Sequence, residues 1–237
     1  MLYLLKKSMY SQEDHRSDWA GHTKHFQHIE FDRIAAKYPS SGNVGEVGAK
    51  TWFKCLDSFV DARRFVIDPY DGAPGGGLSD IPKLPFPVGL FRCYIGYGES
   101  VIPDRFFDLT FSISVIEHIG QAETGFDRQP VKVPPPEQEI PRDKFCEDLF
   151  RITAPGGVTI HSVDHAARNR TYVDNFLRAG FELISEQDVP SEDECMNDRE
   201  NIVQMTKWGR KSDQPSDLTD WELDAVMIMG FRRPINS

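Results

Sequence analysis

From residue 42 onward, short apolar runs alternate with stretches whose apolar residues return every third or fourth position, the texture of a parallel sheet covered by helices. The runs predict seven strands: Asn43 to Val47, Arg64 to Asp68, Phe91 to Ile95, Phe107 to Val115, Gly157 to Asp164, Phe181 to Gln187 and Ala225 to Phe231. Between the first two, Trp52, Phe53, Leu56, Phe59 and Val60 form a stripe that packs one helix face on a sheet. Phe145, Leu149 and Ile152 do the same ahead of the stop signal Ala154-Pro155-Gly156-Gly157, and Tyr172, Phe176 and Leu177 do so ahead of Ala179-Gly180. The order is βαβ, which predicts a doubly wound α/β domain.

Three segments depart from this rhythm. Before Pro39, Ser40, Ser41 and Gly42, the residues Phe26, Ile29, Ile34 and Ala35 predict a helix within a polar lead-in, so the chain divides into a helical segment 1–41 and a domain 42–237. Within the domain, the prolines and glycines of 69–89 forbid a long helix and predict an ordered loop, and Pro130, Pro134, Pro135, Pro136 and Pro141 make 129–141 a stiff extended lid or spacer. An acidic insertion over 188–221 precedes the last strand.

With 237 residues and 39% hydrophobic content there is chain enough for one substantial core. No apolar run approaches the roughly 20 residues of a membrane span, and Lys6 and Lys7 cut off the apolar opening, so a soluble, cytoplasmic protein without membrane attachment is expected. The net charge of -10 repels phosphate backbones and removes nucleic acid as a partner. The four cysteines, Cys55, Cys93, Cys146 and Cys195, have no metal-knuckle spacing and read as buried thiols. His22, His25 and His28 recur every third residue, but the helical zinc pair sits four apart; they read as a solvated face, and no metal is expected.

In an open parallel sheet, ligands bind beyond the carboxyl ends of the strands. The first such turn is Val44-Gly45-Glu46-Val47-Gly48-Ala49-Lys50, where a glycine lets a ligand approach the backbone and the following helix offers unpaired N–H groups; a plain tight turn is the alternative. Asp68 ends the next strand, placed to accept hydrogen bonds from a ribose held over that turn or, alternatively, to cap its own loop. There is no GxxxxGK[ST] and no GxGxxG, which excludes a P-loop and weakens a dinucleotide turn.

These residues resemble the class I S-adenosylmethionine-dependent methyltransferase family. Val44 to Ala49 is similar to its glycine-bearing first motif, Phe65-Val66-Ile67-Asp68 to its ribose-binding strand end, and Gly96-Tyr97-Gly98-Glu99-Ser100 to its adenine segment. Phe107 to Ile119 resembles the fourth-strand motif, Leu149 to Gly157 the helix-turn before the fifth strand, and Asn175 to Phe181 the entry to the sixth. The resemblance implies a Rossmann-like, mostly parallel seven-stranded sheet with an antiparallel last strand. It also implies S-adenosylmethionine as cofactor, held by Glu46, Gly48, Ala49, Asp68, Tyr97, Gly98, Glu99, Ser114 and Val115.

A sulfonium methyl is already activated, so such an enzyme needs chiefly alignment, and a base only for a protonated acceptor. His118 and His165, after the fourth and fifth strands, are placed by this topology to take a hydroxyl proton. The tetrapeptide that in this family marks base-amine methylation is missing after the fourth strand, which agrees with the acidic charge in disfavouring DNA and favours a small-molecule or saccharide acceptor; the expected reaction is methyl transfer to that acceptor, at oxygen. The eight acidic residues between Glu182 and Glu200 would suit a cationic or polyhydroxylated acceptor, or form solvated surface. Lys50 stands at the family's second motif glycine and Trp52 where a small residue is common, so a second reading is a catalytically inactive, methyltransferase-like binding or scaffold protein. Oligomeric state is not legible.

Overall fold

The structure, a computed structural model, describes residues 1–13, 23–38, 41–49, 54–70, 80–84, 86–96, 101–116, 119, 142–163, 171–184 and 226–237. In chain order these form β1 (Leu2–Leu4), α1 (Thr23–Lys37), β2 (Asn43–Val47), a single turn α2 (Lys54–Asp57), β3 (Arg63–Ile67), β4 (Gly89–Phe91), β5 (Phe107–Ile113), α3 (Arg142–Ile152), β6 (Thr153–Val163), α4 (Thr171–Arg178), β7 (Glu182–Leu183) and β8 (Met227–Arg232). Their spatial order is β1-β8-β6-β5-β2-β3-β4, with β7 also paired to β8. Strands β4, β3, β2, β5 and β6 are parallel, and β8 runs antiparallel to β6.

The chain leaves β2 for β3 on one side, and β5 closes on its other side. That reversal is the topological switch point, and it opens a crevice at the carboxyl ends of β2, β3 and β5. Alternation along the strands divides the core in two. Val44, Leu109, Phe111 and Ile160 face Phe26, Phe31, Ile34, Leu56 and Phe59 of the α1 and α2 side. Val47, Ile67, Val163 and Met229 face Phe145, Leu149, Ile152 and Phe176 of α3 and α4. Each such side chain contributes about 1.5–3 kcal/mol when fully buried, so both layers are held on the sheet by ordinary apolar burial.

All seven sequence-predicted strands are present, and β1 makes an eighth. Strand β1 continues the edge that β7 begins: the Ile184 amide donates to the Gly230 carbonyl at 3.1 Å, and the Gly230 amide donates to the Met1 carbonyl at 2.7 Å. Two short strands thus run end to end along β8. Strand β4 begins at Gly89, two residues before the predicted start, because Gly89 to Phe91 are the residues in register with Phe65 to Ile67. Strand β6 starts at Thr153, directly after α3; its pairing jumps from Phe107–Thr153 to Leu109–Val158, so the predicted stop signal is a bulge within the ladder.

Three side chains depart from their predicted environment. Val60 is 71% exposed, since α2 closes at Asp57 and the chain beyond it buries Phe59 but turns Val60 outward. Leu177 is exposed as well, on the outer side of α4. His28 is buried: α1 is covered at Phe26, Gln27, His28, Glu30, Phe31 and Ile34, so it is not a solvated face, and the polar composition of the helix concealed this. Cys55 and Cys146 are buried as expected, and Cys93 is half-buried. Among the described residues no helix is long and apolar enough to cross a membrane, and no cluster of His, Cys, Asp or Glu could hold a metal ion.

Candidate active site

At the carboxyl end of β2 the backbone bends at Gly48, whose φ of 68° is one that a side chain disfavours. The Gly48 amide donates to the Ile67 carbonyl at 2.9 Å, which sets the bend immediately beside Asp68. On its other side Gly48 meets Val115, and a Cβ added to Gly48 would fall 2.7 Å from Val115 Cγ2. Glycine is therefore required here twice, by its dihedral and by its neighbour.

Two buried carboxyls flank the bend. Asp68 is buried, its amide donates to the Phe91 carbonyl at 3.1 Å, and its Oδ1 accepts the Tyr70 amide at 3.0 Å. The loop-capping alternative is thus part of the structure, with Tyr70 held at a left-handed φ of 47°. Glu46 lies on β2 between Val66 and Phe111 and is 3% exposed. Its Oε2 is buried with no hydrogen-bond partner among the described residues, and burial holds the carboxyl well above the usual carboxylate range. The phenol of Tyr70, itself fully buried, is pushed up first by burial and then by the negative charges of Asp68 and Glu46. Tyr70 is therefore a ring near both acids, one the sequence reading did not single out. Arg92 ties the segment down, its Nη2 donating to the Tyr70 carbonyl at 3.2 Å.

The other wall rises from β5 and β6. Ser114 follows β5 with φ of 50°, left-handed without being glycine, and its amide donates to the Ser162 carbonyl at 2.8 Å. From α1, the fully buried Gln27 reaches both hydroxyls: Nε2 donates to Ser162 Oγ at 2.8 Å and to Ser114 Oγ at 3.1 Å. The segment beyond is anchored by Tyr172 of α4, whose hydroxyl donates to the Ile116 and Ile119 carbonyls at 2.5 and 2.7 Å, with Arg142 stacked 4.5 Å from the Tyr172 ring centroid. On the β4 side, the Gly96 amide donates to Asp148 Oδ2 at 2.7 Å, fixing the entrance to the predicted adenine segment.

Below this rim a buried polar chain crosses the sheet. Thr110 Oγ1 donates to Thr159 Oγ1, and the His161 ring has Thr159 Oγ1 at Nε2 and Ser112 Oγ at Nδ1, each link 2.8 Å long. Burial lowers the His161 ring to about 3, so it is neutral, donating through one nitrogen and accepting at the other.

Of the sequence-predicted site residues, Glu46, Gly48, Ala49, Asp68, Ser114 and Val115 all lie at or just beyond the carboxyl ends of β2, β3 and β5, and Ala49 is buried. Tyr97, Gly98, Glu99, His118 and His165 lie outside the described residues, as do Lys50, Trp52, the segment 129–141 and the insertion 188–221. Sequence reasoning missed Gln27, Tyr70 and His161. The only signal for Gln27 was a polar residue on the apolar stripe of a helix, and nothing in a linear pattern says what it meets.

No family model and no curated protein matches the sequence. Solved structures do match over nearly the whole chain. The N-methyltransferase NodS from Bradyrhizobium japonicum WM9 is 12% identical, covering 90% of this chain and 97% of its own, with a TM-score of 0.50. Phosphoethanolamine N-methyltransferase 2 of Haemonchus contortus, solved in complex with S-adenosyl-L-methionine, is 13% identical over 88% of this chain and 52% of its own, again at 0.50. The [4+2]-cyclase SpnF is 15% identical over 95% and 86%, at 0.53. Strand order, antiparallel β8 and these superpositions agree: the chain has the fold of the class I S-adenosylmethionine-dependent methyltransferases.

Proposed function

We propose that this chain transfers a methyl group from S-adenosylmethionine to an oxygen of a small-molecule or saccharide acceptor. One observation carries the reading: Glu46 is a buried carboxyl with an oxygen that no donor among the described residues reaches, on the strand that ends in the Gly48 bend beside Asp68. A buried carboxylate without a partner is expensive, and entry of a cation beside it removes the expense. An amino-acid ammonium is such a cation, so the residues present fit the donor.

On this reading Glu46 receives the ammonium, Gly48 and Ala49 line the backbone cradle, and Asp68 accepts from the ribose. Tyr97, Gly98 and Glu99 take the adenine, and Ser114 and Val115 form the opposite wall. When bound, the donor supplies a methyl already activated on a sulfonium. What remains for the chain is to hold the two reactants in line, keep water out and, for a hydroxyl acceptor, take its proton at His118 or His165. Methyl transfer as the reaction class draws support from the N-methyltransferases of like fold; oxygen as the target rests on the two histidines, either of which can take a hydroxyl proton. The second reading, a catalytically inactive methyltransferase-like binding or scaffold protein, rests on Lys50 and Trp52 in the first motif.

Calorimetric titration with S-adenosylhomocysteine tests the proposal. Saturable binding is expected, lost in Asp68→Ala and weakened about tenfold to a hundredfold in Glu46→Gln, the range set by one charge-assisted hydrogen bond. Absence of heat at millimolar ligand would overturn it.

A further inference from the structure

We infer that Gln27 is a positioning residue for the donor cleft: by holding Ser114 in its left-handed conformation it presses Val115 against Gly48 and so couples the docking of α1 to donor affinity. The inference rests on the methyl-transfer reading and deepens it.

The chain of contacts is continuous. Gln27 is fully buried, and its amide nitrogen divides its two protons between Ser162 Oγ at 2.8 Å and Ser114 Oγ at 3.1 Å. Ser114 Oγ is also 3.4 Å from Gln27 Oε1, so the hydroxyl faces the whole amide. Both serines sit at the carboxyl ends of β5 and β6, joined by the Ser114 amide donating to the Ser162 carbonyl. A non-glycine residue at φ of 50° is strained, and such strain persists only where its surroundings over-determine it. Among the described residues, one backbone bond and the Gln27 amide hold it. The residue after the strained serine is Val115, whose methyls lie so close to Gly48 that no Cβ fits between them. Rotation of Ser114 back to an ordinary φ would withdraw Val115 from the bend.

This explains why α1, at the far end of the sequence from the sheet centre, carries a buried polar residue over the rim of β5 and β6. A buried amide set against two hydroxyls gains little net stability over an apolar contact of the same shape, but it fixes a single geometry. Whatever loosens α1 then loosens the wall of the cleft, and whatever fills the cleft tightens α1; the coupling is reciprocal.

The test is a mutant cycle read by S-adenosylhomocysteine titration and by amide hydrogen exchange. Gln27→Met removes the hydrogen bonds and keeps the volume; it is expected to weaken binding about tenfold and to speed exchange at Ser114, Val115 and Ile116 while leaving β2 and β3 protected. Gln27→Glu keeps an acceptor that both serine hydroxyls can reach, and it should stay within about threefold of the parent. The decisive arm is Ser114→Gly, because glycine takes this φ without strain. On that background Gln27→Met should cost no further affinity, whereas a merely structural Gln27 would cost the same in both backgrounds. Equal loss on the two backgrounds, or a Gln27→Met protein that binds like the parent, overturns the inference and leaves the methyl-transfer reading standing. A parent that does not bind the ligand removes both. Should Gln27→Met fail to fold, Gln27→Asn, one methylene short of the serines, carries the same cycle.

Discussion

Acid should find this fold through His161. Its ring is fully buried between Ser112 and Thr159, stacked 5.2 Å from the Phe176 centroid, and burial lowers it to about 3 from an ordinary 6.5. The unfolded chain takes up the proton that the folded chain refuses, so stability from this group is complete above pH 6.5 and is lost as pH falls from there toward 3. At pH 5 the unfolded ring is almost fully protonated and the folded one almost fully neutral. The difference of 1.5 units between that pH and 6.5, at 1.36 kcal/mol each, is a loss of about 2 kcal/mol relative to pH 7.5. Gln is the substitution of choice, since its amide donates to one hydroxyl and accepts from the other without titrating. Urea unfolding of the parent and of His161→Gln at pH 7.5 and pH 5 isolates the effect, because every other titrating group is common to both. The parent should lose about 2 kcal/mol more than the variant across that interval. Equal losses would mean that the folded ring accepts a proton, and the neutral hydrogen-bonded chain would be refuted.

Glu46 has the opposite sign. Its folded carboxyl is held above the ordinary range, so the folded protein binds the extra proton and stability falls as pH rises past the unfolded value near 4.5; Glu46→Gln should melt higher than the parent at pH 7.5 and lose that advantage at pH 4, which thermal melts in the absence of ligand will read. Gly48→Ala forces a left-handed alanine onto Val115 and should destabilise by about 1–3 kcal/mol in denaturant titration while abolishing S-adenosylhomocysteine binding; a variant that binds normally would mean the bend is not part of the cleft. Arg233 donates from Nη1 to the Phe150 and Thr153 carbonyls, both at 2.8 Å, and stacks on the Phe150 ring. Arg233→Met should therefore cost about 2–4 kcal/mol in urea unfolding by orphaning carbonyls where α3 passes into β6.

The parallel core was legible because Val44, Val47, Val66, Ile67, Leu109, Phe111, Val158, Ile160 and Val163, all buried, gather in short β-branched and aromatic runs bounded by turn residues. Helix α3 was legible for the complementary reason: Phe145, Leu149 and Ile152 bury one face and charges hold the other. Strand β1 was not. Met1 to Leu5 is too short to show a period, and it is a strand because β7 leaves half of the β8 edge unpaired. Helix α1 could be placed but not oriented, since Gln27, His28 and Glu30 are polar and buried, against every expectation of hydrophobic patterning. Glu30 is satisfied by the Tyr3 hydroxyl at 2.5 Å, a partner 27 positions away that only the folded chain supplies.

The same distinction separates what was readable in the site from what was not. Gly48 and Asp68 could be named because their roles are local: a bend that only glycine tolerates, and a carboxylate at a strand end. Gln27 and Tyr70 act through contacts made across the sheet, and no spacing encodes those. The division extends to energetics. On the proposed reading Glu46 and Asp68 face the ammonium and the ribose, parts of the donor that transfer leaves unchanged, so they would stabilise donor and product alike and govern affinity rather than turnover at saturation. On that reading, discrimination between ground state and transition state would fall to the β5 and β6 rim of the cleft. That rim is where this chain has placed a strained serine and a buried amide to hold it, side chains a linear reading passes over.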